Sequence, residues 1–77
     1  MLNTTNPPVV AVREAVATAF SDTWLFQHGA ASREAAAYSC ERARELLARV
    51  YIDDPTVRAR LDTILSGCEH ALSKIRE

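Results

Sequence analysis

The stretch that decides the fold runs from residue 32 to residue 76: SREAAAYSCERARELLARVYIDDPTVRARLDTILSGCEHALSKIR. Before its Asp53-Asp54-Pro55 break, small and apolar residues stand at Ala36, Cys40, Ala43, Leu47 and Val50. After the break they stand at Val57, Leu61, Ile64, Cys68, Ala71 and Ile75. Both series alternate steps of four and three, the spacing that keeps one seam of an α-helix turned toward a partner. Two helices, at about 33–52 and 55–76, joined by so short a connection must return antiparallel as a hairpin.

Local signals agree with those helices. Ser32 can accept a hydrogen bond from the free N–H groups of a first turn, and Glu34 suits the positive end of the helix dipole. Asp54-Pro55 supplies an acidic cap followed by proline, whose missing N–H costs nothing in the first turn. Gly67 falls inside the last helix, at a cost of about 1 kcal/mol relative to alanine. The outer face of the first hairpin helix is read as Arg33, Glu34, Glu41, Arg42, Arg44, Glu45 and Arg49.

Upstream, Asn6-Pro7-Pro8 is a plausible helix start, and Met1 to Asn6 reads as a flexible polar leader. Val9, Val12, Val16 and Phe20 follow helical spacing while Arg13, Glu14 and Thr18 turn outward. The helix is drawn at about 8–28, running through Trp24 and Phe26, with Gly29 as its left-handed C-terminal cap. Trp24-Leu25-Phe26 cannot all be buried on one stripe, because consecutive helical residues point ~100° apart. The expected fold is therefore all-α, one domain over residues 1–77, with an N-terminal helix packed on a long antiparallel hairpin.

Composition bounds the rest. The hydrophobic fraction is 48%, but 13 of the 77 residues are alanine, which buries little area, so the core of one copy should be thin. A homodimer forming a larger bundle is one way to thicken it. The formal net charge is −1 with acids and bases interspersed, which disfavours a nucleic-acid binder. No run approaches the ~20 apolar residues that span a bilayer, and no basic leader precedes an apolar core. A cytoplasmic protein without membrane contact is the expectation.

Cys40 and Cys68 are the residues closest to chemistry. Counted from the turn they lie about thirteen residues before it and fourteen after, nearly the same height at ~1.5 Å per residue. They are read first as buried packing thiols, with a reversible disulfide and a thiol-based redox sensor as the alternative. No zinc spacing occurs, and Cys68 and His70 do not share a helical face, so neither metal nor cofactor is expected. With only Gly29 and Gly67 there is no phosphate-binding loop, and no enzyme activity is expected. The remaining candidates are aromatic. Phe20, Trp24, Leu25 and Phe26, with Tyr38 and Tyr51 at an edge, are the expected partner-binding residues, since such side chains anchor interfaces. The expected function is a non-enzymatic protein–protein interaction module: an adaptor, a chaperone-like partner or an inhibitor, of a kind that suits a bacterial or phage accessory protein. A weak nucleic-acid-binding role, through Arg42, Arg44, Arg49, Arg58 and Arg60, is a further alternative.

Overall fold

A computed structural model describes residues 7–74 of the chain. Three helices make up the fold: α1 Pro7–Gln27, α2 Arg33–Arg49 and α3 Pro55–Lys74. The leader drawn at residues 1–6, the cap proposed at Asn6 and the seam position Ile75 lie outside the described residues. Among the described residues no strand occurs, and no helix is long and apolar enough to cross a membrane.

The breaks fall where the sequence chemistry puts them. α1 runs unbroken through Trp24, and Gly29 then takes φ +77°, the left-handed conformation that glycine adopts without a Cβ clash. The Gly29 N–H donates to the Phe26 carbonyl at 3.0 Å and the Ala30 N–H to the Leu25 carbonyl at 2.8 Å, the paired bonds of a Schellman cap. Ser32 opens α2 with extended backbone, and its Oγ accepts from the Ala35 N–H at 3.0 Å. Asp54 opens α3: its Oδ1 accepts from the Thr56 N–H at 2.9 Å and the Val57 N–H at 3.3 Å. Both caps are placed as expected.

α2 stops at Arg49 rather than at residue 52. Val50 leaves the helix at φ −88° and ψ 128°, although its N–H still donates to the Leu46 carbonyl at 2.9 Å. β-branched Val50 and Ile52 take an extended backbone readily, and Pro55 disfavours the α region at Asp54 further along the same connection. Unwinding the chain here lets Ile52 fold back into the core, where it is buried.

The core is one continuous cluster shared by all three helices. α1 contributes Val9, Val12, Val16 and Ala19, with Thr23 completing the stripe, so Ala19 faces inward where Phe20 was expected. α2 contributes Ala36, Cys40, Ala43 and Leu47, as its spacing predicts, and Val50 packs against the cluster half-buried. The seam of α3 is shifted from the expected one. Leu61, Leu65, Cys68 and Leu72 are buried, whereas Ile64 is 40% exposed and Ala71 is half-buried. Leu61 and Cys68 belong to both registers. The choice between them is made by α1, which packs on α3 as well and centres its buried face between two neighbours instead of one.

The closest pairing in the bundle is α1 with α2, more extensive than either makes with α3. Small residues explain it. Ala19, Ala36, Ser39 and Ala43 are all buried, so these two backbones approach with little side-chain bulk between them. The short connection at 28–32 returns α2 antiparallel to α1, with Asp22–Ser39 and Thr23–Cys40 contacts pinning the two together, and Leu47 with Arg58 and Arg44 with Asp62 set α2 and α3 antiparallel.

Candidate functional site

Phe20 and Trp24 lie four residues apart on α1, so they stand one above the other on a single face. That face borders α3, not α2. Opposite them α3 presents Ile64, Gly67 and Ala71, and the two rows enclose a groove of about 300 Å³ whose floor is formed by Thr23 and Cys68. Phe20 is 56% and Trp24 49% exposed, large apolar area left in water beside the exposed Ile64. A second concavity over Pro55, Thr56, Ala59 and Arg60 shares Thr63 and Ile64 with the groove, and so extends it toward the start of α3.

Gly67 gives the groove its depth. A Cβ built there would meet nothing within 4 Å, so the backbone of α3 is open at that point between Trp24 and Ala71. At the far end of the groove the Trp24 indole is held by His28. The rings stack with centroids 3.9 Å apart and planes 26° from parallel, and His28 Nδ1 donates to the Trp24 carbonyl at 2.8 Å. One side chain therefore closes the last turn of α1 and fixes the tryptophan's orientation.

The remaining aromatic candidates lie elsewhere. Leu25 and Phe26 are half-buried, and Phe26 packs against the core. Consecutive residues thus part company as the helical angle requires, with Trp24 the one turned outward. Tyr38 lines a separate cleft between α1 and α2 with Glu14, Ser39 and Arg42. Tyr51 is exposed in the connection after α2. The sequence pattern does not mark Ile64, Gly67 and Ala71 as partner-binding positions, because Ile64 and Ala71 read equally well as seam and Gly67 only as a glycine inside a helix. The weak signal was that Leu65 and Leu72 offer α3 a second and larger apolar register.

Cys40 and Cys68 are both free and buried. The Cys40 thiol lies 3.7 Å from the Thr23 hydroxyl, and burial pushes its pKa above the ordinary value against that hydrogen bond. A raised pKa disfavours the thiolate that reacts. Among the described residues no group of three or more His, Cys, Asp or Glu is placed to hold a metal ion.

The arginines expected on an outer face are divided among separate tasks. Arg44 is not an outer-face residue. Its Nε and Nη2 donate to Glu69 at 3.1 and 2.8 Å, its Nη1 to Asp62 at 2.5 Å, and its Nη2 to Ser66 at 3.3 Å. Glu69 first and Asp62 second hold its guanidinium still more firmly protonated than usual. Arg58 Nη1 donates to the Leu47 carbonyl at 3.0 Å, filling an acceptor that the end of α2 leaves open. Arg42 lines the Tyr38 cleft, and Arg60 the extension of the groove. No protein-family model matches the chain, and no curated protein or solved structure matches it at a significant level.

Proposed function

We propose that this chain is a non-enzymatic, cytoplasmic protein–protein interaction module that docks its partner in the α1/α3 groove. One observation carries the reading: three exposed large apolar side chains, Phe20, Trp24 and Ile64, converge on a single concave surface. Leaving such area in water is unfavourable by about 25 cal/mol per Å², so its covering by a partner is a source of affinity. Trp24 is the natural anchor, because tryptophan at the centre of an interface carries a disproportionate share of binding energy. His28 stiffens it before the partner arrives, which lowers the entropy lost on docking.

The test compares affinity captures from native extract by wild type, Trp24→Ala and Tyr51→Ala. The expected result is a partner kept by Tyr51→Ala and lost by a folded Trp24→Ala. A partner set identical for all three would overturn the proposal.

A further inference from the structure

Resting on that docking reading, we infer that the occupant of the α1/α3 groove is an amphipathic helix with acidic flanks, supplied by a different protein. The first argument is shape. α1 and α3 run in the same direction, and α2 fills the valley between them on one side. The groove is the valley on the opposite side, and it is also lined by apolar residues. A valley between two helices accepts the ridge of a third, so an added helix would complete a four-helix arrangement. From Thr56 to Ala71 the surface runs about 23 Å at 1.5 Å per residue, room for a helix of about four turns. The opening at Gly67 receives one of its apolar side chains.

The second argument is charge, and it selects the flanks. α1 and α3 carry four acidic residues between them, Glu14, Asp22, Asp62 and Glu69. All four are committed to the α2 side. Glu14 lines the α1/α2 cleft, Asp22 accepts from Ser39, and Asp62 and Glu69 accept from Arg44. On α3, by contrast, Arg60 and Lys74 stand one heptad before and after Gly67 and share its line along the helix. Arg60 is exposed on the groove's extension and Lys74 is exposed at the helix end. The rim of α3 is basic, its acids are turned away, and an apolar stripe bordered by Glu and Asp complements it. The same rim opposes a second copy. Two such faces brought together would set Arg60 and Lys74 against their own equivalents.

The experiment selects peptides of about 18 residues, with a fixed leucine stripe at heptad spacing and randomised flanks, on the full-length chain. Each binder is retested on Trp24→Ala and on Arg60→Glu/Lys74→Glu. The expected binders carry Glu or Asp flanks, gain helicity on binding, and bind Trp24→Ala at least tenfold more weakly. They should lose about five- to tenfold on the charge-reversed variant, and less in high salt. Trp24-dependent binders with neutral or basic flanks would preserve the docking reading and overturn the acidic helix. Absence of any Trp24-dependent binder would overturn both. A dimer in sedimentation that Trp24→Ala dissolves would seat a second copy there and overturn the inference. So would DNA or anionic vesicles that bind in a Trp24-dependent manner more tightly than every selected peptide.

Discussion

α3 has two borders, and they are finished in opposite ways. Along α2 the border is clasped by Arg44, which reaches Asp62, Ser66 and Glu69 over two turns of α3, and by Arg58, which reaches back to the Leu47 carbonyl. Along α1 the border is left open, with Phe20, Trp24 and Ile64 in solvent around an uncovered glycine. A border closed by charge-assisted hydrogen bonds has its polar groups satisfied and offers a partner little. A border closed by nothing keeps apolar area exposed, and that area is available to something else. The contrast also explains how so small a chain holds together. Stability comes from the buried layer beneath both borders, while only one border is stitched at its rim.

The comparison is broken most severely from beneath. Leu65 is fully buried and its neighbour Ile64 lies at the open border, so the same truncation should have unequal effects. Leu65→Ala is expected to cost about 2–5 kcal/mol and Ile64→Ala about 1 kcal/mol or less, read from urea denaturation. Equal losses would return Ile64 to the seam. Next in size, removal of the clasp by Arg44→Ala should destabilise the chain by about 1 kcal/mol at low salt, since the pair partners are partly exposed and screened by solvent. The deficit should shrink in about 1 M salt, where the Debye length falls to about 3 Å. Arg44→Lys should not restore it, because an ammonium cannot bond Glu69 through two nitrogens at once.

Filling the open border should act in the other direction. Gly67→Ala adds a methyl group that meets nothing within 4 Å, and the helix should gain about 0.5–1 kcal/mol. Thermal melting would show the gain while partner binding weakens, because the groove becomes shallower. The smallest effect belongs to the core between the borders. The Cys40 pKa is raised above 9.0 in the folded chain by burial. The unfolded chain therefore releases this proton first, and stability should fall as pH rises above about 9. Cys40→Ser should alter that slope, and in the wild type Cys40 should react with a thiol reagent no faster than the chain unfolds.

Much of this arrangement is legible in the sequence, and the rest fails for identifiable reasons. Helix number, the caps at Ser32 and Asp54 and the turn at Gly29 are local matters, decided by a few side chains acting on adjacent N–H and C=O groups. The register of α3 is not local. Leu61 and Cys68 fit either Ile64/Ala71 or Leu65/Leu72, and only the position of α1 decides between them. The same ambiguity hid Ile64, which a hairpin-first reading places in the seam and the bundle places beside Trp24. Arg44 was misplaced because a long side chain can cross from a helix flank to its neighbour, a reach that spacing does not encode.

Ile52 carries one more consequence. It sits midway along the extended connection from Val50 to Asp54 and is buried with the core, so both halves of that connection are pinned. A hinge between α2 and α3 that swung open would have to draw this side chain into water and release Arg44 in the same movement. Exchange of α3 between two copies, the route by which helical hairpins become domain-swapped dimers, would have to pass through that opened state, so Ile52 and Arg44 raise its barrier.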